Sequence, residues 1–167
     1  MRLTVRTEQM AVIEAVAQEN FVRRIVAHLL AEYAKAVVTL SDDEKMAVDE
    51  LPEETLNDLV RVGIERARGH SLTFESAITA FTAVMFEVSP NFDEHRLCQV
   101  LLNDEDVEPN ERLDELLNVL TEKNWESIRE DYDPKAWKPE EKAEEMPETE
   151  KIKPTNLDLQ ETVMNPS

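Results

Sequence analysis

Between Pro52 and Asp93 the chain carries two apolar runs with the period of an α-helix. Leu56, Leu59, Val60, Gly63 and Ala67 recur at helical spacing before Gly69, and Phe74, Ile78, Phe81, Met85 and Val88 do so before Pro90. Each run has one apolar face, so the stretch predicts a helical hairpin at the centre of an all-α fold. Gly69 follows Arg66 and Arg68. Cations in a last turn offset the carbonyl end of the helix dipole, which makes Gly69 the predicted helix stop. Gly63 is different, because a mid-helix glycine costs up to about 1 kcal/mol relative to alanine and is best explained by close helix approach.

Upstream, Thr7 is a candidate N-cap with Glu8 in the first turn. Ile13, Ala17, Phe21, Ile25, Leu29, Tyr33 and Val37 follow at steps of four, flanked by Val16, Val22, Val26, Leu30 and Val38. That apolar face is wide, drifts around the axis and needs more than one neighbour to cover it. With no Gly or Pro before Ser41, one long helix reaching Leu40 is expected, although the β-branched run Val37, Val38, Thr39 weakens its end. Arg23 and Arg24 read as solvated or salt-bridged surface. Ser41 to Glu54 is an acidic connector with room for a short turn of helix.

Downstream, Pro90 ends the hairpin, and Asn91 or Asp93 is the expected cap of a short helix carrying Leu97, Cys98, Leu101 and Leu102. His95 and Cys98, three apart, would share a helix face, but a cysteine among leucines reads as core rather than nucleophile. Asp104, Asp106, Glu108, Asn110 and Glu115 mimic the ligand spacing of a calcium loop. Pro109 occupies the position where such a loop needs glycine, and instead marks the start of a last helix expected to run to Arg129. The expected core is Phe21, Ile25, Leu29, Leu59, Gly63, Phe81, Met85, Leu101, Leu116 and Leu120. Residues 1–130 thus form one all-α, single-domain bundle of about five helices.

Composition narrows the function. Eighteen basic against 37 acidic residues give a formal charge of −19. That excludes a general grip on nucleic acid, which needs clustered Lys and Arg, and it disfavours anionic membranes. No run approaches the ~18 apolar residues of a membrane span, and a charged N-terminus replaces a signal-peptide core, so a soluble cytoplasmic protein is expected. Cys98, the one cysteine, permits no internal disulfide. With glycine only at 63 and 69 there is no phosphate-cradling loop or nucleophile elbow, and His28, His70 and His95 lack paired metal-ligand spacing. His70 reads as a loop residue and His28 as a satisfied, partly buried helix residue. No catalytic residue, cofactor or metal is expected, and the protein is not expected to be an enzyme.

From Asp131 the apolar residues become isolated, and five of the eight prolines appear. Residues 131–167 are expected to be an extended or disordered acidic tail. Tyr132, Trp137, Met146, Ile152, Leu157 and Leu159 are spaced like anchors on an extended peptide, so they are the candidate partner-binding residues. Trp137, in DPKAWKPE, is the foremost anchor, unless the first aromatics pack back on the domain.

Two stretches, Glu8 to Tyr33 and Leu59 to Asp93, followed by a leucine-rich final helix, resemble a family of small helical proteins encoded beside type VI secretion spike and effector genes in Gram-negative bacteria. The pattern that carries the resemblance is Phe21, Arg24, His28 and Leu29, then Gly63, Ile64, Arg66 and Ala67, then Phe92 and Asp93. It covers roughly the first 120 residues. The resemblance implies a cytoplasmic accessory protein for a secreted toxin or spike component, acting as adaptor, chaperone or assembly partner. Two other classes fit the acidic charge: an immunity protein that blocks a basic toxin, and a nucleic-acid mimic whose carboxylates stand in for phosphates.

Overall fold

The computed structural model describes residues 7–138. Among them are six α-helices and one two-stranded antiparallel sheet: α1 (Thr7–Glu32), β1 (Val37–Ser41), β2 (Glu44–Ala47), α2 (Glu53–Gly69), α3 (Glu75–Glu87), α4 (Arg96–Leu102), α5 (Pro109–Val119) and α6 (Glu122–Glu130). Short 3-10 turns lie at Val48–Glu50, Phe92–Glu94 and Pro134–Trp137. The fold is all-α, as the periodicity predicts.

The hairpin α2–α3 is its centre. Leu56, Leu59, Val60, Ile64 and Ala67 of α2 are buried together with Ile78, Phe81 and Met85 of α3. At Gly63 the two helices approach closely. A Cβ placed there would lie 2.7 Å from Thr82 Cγ2 and 2.8 Å from Thr82 Oγ1, far inside contact distance. Thr82 cannot swing aside freely, because it is buried, β-branched and donates its hydroxyl to the Ile78 carbonyl at 2.9 Å. Glycine is therefore required for this separation.

The helix stop differs in detail from the expectation. Gly69 remains helical with no positive φ, and the left-handed residue is Ser71, at φ 69°. Leu72 N–H donates to the Ala67 carbonyl and Ser71 N–H to the Arg68 carbonyl, which are the two bonds of a Schellman ending. Leu72 and Ala67 are both buried, supplying the apolar contact that accompanies this cap.

Three boundaries depart further from the sequence reading. α1 stops at Glu32, and Val37, Val38 and Thr39 form a strand, not the end of a helix. Val38 pairs with Met46 and is fully buried, so the β-branched run gains a pleated partner and core packing that a continued helix would deny it. The acidic connector supplies β2 and the Val48–Glu50 turn, with Val48 N–H donating to the Ala36 carbonyl. α4 is capped by His95, whose Nδ1 accepts from Leu97 N–H at 3.3 Å, and not by Asn91 or Asp93, whose side chains are engaged elsewhere. Finally, the helix expected from Pro109 to Arg129 is two. Pro109 does open α5, but Thr121 Oγ1 accepts from Asn124 N–H and Asn124 Oδ1 from Thr121 N–H. This reciprocal capping starts a new helix.

The domain does not end at residue 130. Pro134–Trp137 turns back onto the bundle, and Trp137 is 2% exposed, its ring 4.9 Å from that of Phe86. Of the expected core, Phe21, Ile25, Leu29, Leu59, Gly63, Phe81, Met85 and Leu116 are buried, while Leu101 and Leu120 are partly so.

Candidate interaction surface

α1 divides in two. From Phe21 onward, Phe21, Val22, Ile25 and Leu29 enter the core. Before Phe21 no described side chain is buried, and Met10, Val12, Ile13 and Val16 are 45%, 62%, 58% and 55% exposed. The geometry of the helix explains this. Nine residues make two and a half turns, so Val12 lies across the axis from Phe21, Ile13 from Val22 and Val16 from Ile25. Once the second half of α1 seats its core face, Val12, Ile13 and Val16 must point outward, whereas Met10, about three turns before Phe21, lies on the Phe21 side.

The polar residues around this face have definite partners. Arg61 donates to Glu19 at 2.7 Å, Arg24 to Glu75 at 2.9 Å and Arg23 to Asn20 at 3.0 Å. Arg24 is thus salt-bridged surface, as its sequence context suggests. On the Phe21 side of α1, across the axis from Val12, α1 and the α2–α3 turn border a groove of about 330 Å³ lined by Glu14, Ala17, Gln18, Phe21, Arg68 and Glu75.

The candidate anchors of the tail fare differently. Trp137 is core, and its indole Nε1–H donates to Tyr132 Oη at 3.1 Å. The same hydroxyl accepts from Thr39 N–H and donates to the Thr39 carbonyl, each at 3.0 Å, so it ties the C-terminal turn to β1. Burial holds the Tyr132 phenol above its ordinary pKa, outweighing these hydrogen bonds, which pull the other way. The structure thus corrects the reading of Trp137 as an anchor free for a partner: an indole with an apolar neighbour and a satisfied N–H is most stable inside its own domain. Met146, Ile152, Leu157 and Leu159 lie outside the described residues.

A buried polar cluster joins α2 to the α3–α4 connection. Asp93, 4% exposed, accepts from Arg66 Nε at 2.9 and 3.0 Å and lies 2.7 Å from His70 Nε2; Arg66 also reaches Glu94. The His70 ring packs on Phe81, which packs on Phe92. Asp93 reads as a helix cap and His70 as a loop residue because sequence windows see only neighbours, whereas their partners are 27 and 23 residues away. In hindsight the signal is Arg66, a cation in a last turn whose helix already buries its other face. The cluster pins the α3–α4 connection to α2, since a buried carboxylate must be paired.

Cys98 is fully buried, and burial, with a smaller contribution from the Asp93 charge, pushes its thiol up to about 12. His95 turns to Ser127 Oγ at 3.3 Å. A second cleft, of about 560 Å³, lies at the C-terminal end of α1 and is lined by Tyr33, Lys35, Glu87 and Arg129 among others. Its charges are of both signs, and Lys35 is held by Asp49 at 2.8 Å. The Asp104–Glu115 stretch folds as a turn followed by α5, with Asp104 Oδ1 accepting from Asp106 N–H. Among the described residues no group of three His, Cys, Asp or Glu is placed to hold a metal ion. Among them, too, no helix is long and apolar enough to cross a membrane.

Comparison with protein-family models, with curated proteins and with solved structures returns no match.

Proposed function

We propose that the protein is a non-enzymatic binding protein that engages another protein through the exposed first half of α1. The observation that carries this reading is the patch Val12, Ile13 and Val16, three large apolar side chains more than half exposed on one face of α1. Fully covering a valine or isoleucine contributes about 1.5–3 kcal/mol, so a face of this kind is a ready source of affinity. Adaptor, chaperone or assembly partner for a type VI secretion effector or spike component is the role that the resemblance favours, and such roles need a docking surface rather than a reactive group. A cytoplasmic location accords with that role.

The acidic charge of −19 supports a second reading, an immunity protein that covers a cationic toxin site. Affinity capture from the native host, with the bound chain identified, tests both. Val12→Asp and Val16→Asp should abolish capture in a chain that still folds; unchanged capture would remove α1 from the function. Co-expression separates the roles, since an adaptor is needed for export or solubility of the captured chain, whereas an immunity protein rescues cells from it.

A further inference from the structure

We propose that the C-terminal turn guards the free edge of β1, and that without this guard β1 pairs edge to edge with β1 of a second copy of the chain. Among the described residues the sheet has two strands, so each strand has one edge turned to a further neighbour. Thr39 faces Lys45 across the ladder, yet its N–H and carbonyl both bond the Tyr132 hydroxyl, at 3.0 Å each. Both groups therefore point to the outer edge of β1, since successive residues of an antiparallel pair bond alternately inward and outward. One phenolic oxygen holds the donor and the acceptor that a third strand would take.

That oxygen is held in place. The buried Asn91 side chain donates to the Asp131 carbonyl and accepts from Asp133 N–H, each at 3.0 Å, so it brackets Tyr132, and Trp137 Nε1–H reaches the hydroxyl itself. The other edge is guarded differently. β2 is four residues long, carries Glu44 and Lys45, and has its Ala47 N–H taken by Glu50 Oε1 at 3.2 Å. Shortness and charge blunt an edge without further cover. β1 reads VVTLS, which is uncharged, free of proline and glycine, and rich in β-branched residues, the composition of a strand that pairs with its own kind. A two-fold axis beside Thr39 lets the N–H of each copy bond the carbonyl of the other, replacing the two bonds that the hydroxyl now makes. Antiparallel pairing also keeps the two acidic Asp42–Asp43 turns at opposite ends of the joined strands.

Sedimentation of the full chain and of full-chain variants over a concentration series tests this. The native chain should stay monomeric, while Tyr132→Ala should form a dimer that grows with concentration. Val37, on β1, is 57% exposed, and adding Val37→Lys to the Tyr132→Ala chain should return the monomer. That lysine lowers the net negative charge, so loss of the dimer reports blocked strand pairing and not added repulsion. Leu117→Lys, on α5, makes the same change of charge and should leave the dimer intact. Tyr132→Phe keeps the ring and removes only the hydroxyl, so hydrogen exchange at the Thr39 amide should quicken about tenfold or more. Should Tyr132→Ala fail to fold, Tyr132→Phe carries the same test, through a weaker dimer that Val37→Lys removes. Variants that remain monomeric, or a dimer indifferent to Val37→Lys, overturn the proposal, and so does a Thr39 amide that exchanges no faster in Tyr132→Phe. A native chain that already dimerises through a contact broken by Val37→Lys overturns it as well, since the edge would then be open with the guard in place.

Discussion

The two ends of the described chain handle apolar surface in opposite ways. The first half of α1 has regular helical periodicity and several large aliphatic side chains, yet leaves Met10, Val12, Ile13 and Val16 in water. Asp131–Lys138 has a proline and four charged residues flanking Ala136, Trp137 and Tyr132, yet buries Trp137 almost completely. The difference lies in whether a matching surface is within reach. Trp137 finds the ring of Phe86 and a hydroxyl for its N–H, while the outward face of α1 points away from everything the described residues provide. Periodicity states that a face needs cover; it does not state whose surface supplies it.

The comparison is most exposed to failure at Trp137. Trp137→Ala should lower stability by about 3–5 kcal/mol, measured by urea unfolding, because it removes a fully buried ring. A change below about 1 kcal/mol would mean the C-terminal turn is not part of the core. Truncation after Glu130 should act in the same direction, by removing Tyr132 as well. Gly63→Leu provides a yardstick from the interior of the bundle. Forcing a side chain into the 2.7 Å approach to Thr82 should cost about 1–3 kcal/mol or more, and an unchanged melting temperature would show that the α2–α3 separation is not fixed there.

Tyr132→Phe sharpens the comparison further, since it deletes only the hydroxyl. It strands the Thr39 N–H and carbonyl and the Trp137 N–H, for an expected loss of about 1–3 kcal/mol. The same group gives a pH signature. Its folded pKa is raised above the ordinary 10.0, so its contribution is intact below pH 10 and is lost as pH rises through the folded value. Cys98, raised from 9.0 to about 12, adds a loss that begins near pH 9. Unfolding measured from neutral to alkaline pH should therefore show stability falling from about pH 9. Cys98→Ala should flatten the first part of that decline and Tyr132→Phe the later part. At the small end, Val12→Asp and Val16→Asp should change stability by no more than about 0.5 kcal/mol, since neither side chain is packed. A loss above about 2 kcal/mol would show that this face is covered by the protein itself.

How much of this was legible in the sequence depends on range. The hairpin, its close approach at Gly63 and most of the core follow from periodicity, because local spacing and burial agree there. The start of α5 follows from Pro109. The end of α1 and the split between α5 and α6 do not, and the C-terminal turn follows only as the alternative in which its first aromatics pack back, because each is decided by a competing bond. Val38 exchanges a helical turn for a strand partner, Thr121 and Asn124 cap one another, and Tyr132 reaches across the domain. Within the candidate surface, the steps of four from Ile13 to Val37 and the need for more than one neighbour were visible. That the missing neighbour lies outside the described fold was not, because an exposed apolar stripe and a buried one have the same letters. Of the Arg66–Asp93–His70 cluster only Arg66, a cation in a last turn, leaves a local trace; its pairing with Asp93 does not, since a charge pair leaves no periodic pattern.

The bond from Tyr132 to Thr39 spans 93 residues of sequence, whereas Gly63 and Thr82 are 19 apart (82 − 63). During synthesis β1 emerges long before its phenolic partner exists, and the α2–α3 hairpin can form in the interval from short-range contacts alone. Closing the long loop comes afterwards. An interaction made late slows the opening of a native structure more than it hastens its formation. The turn at Pro134–Trp137 is in this sense a timer: it governs how long the finished domain stays shut, and a chain interrupted before it would be made at the usual speed and lost sooner.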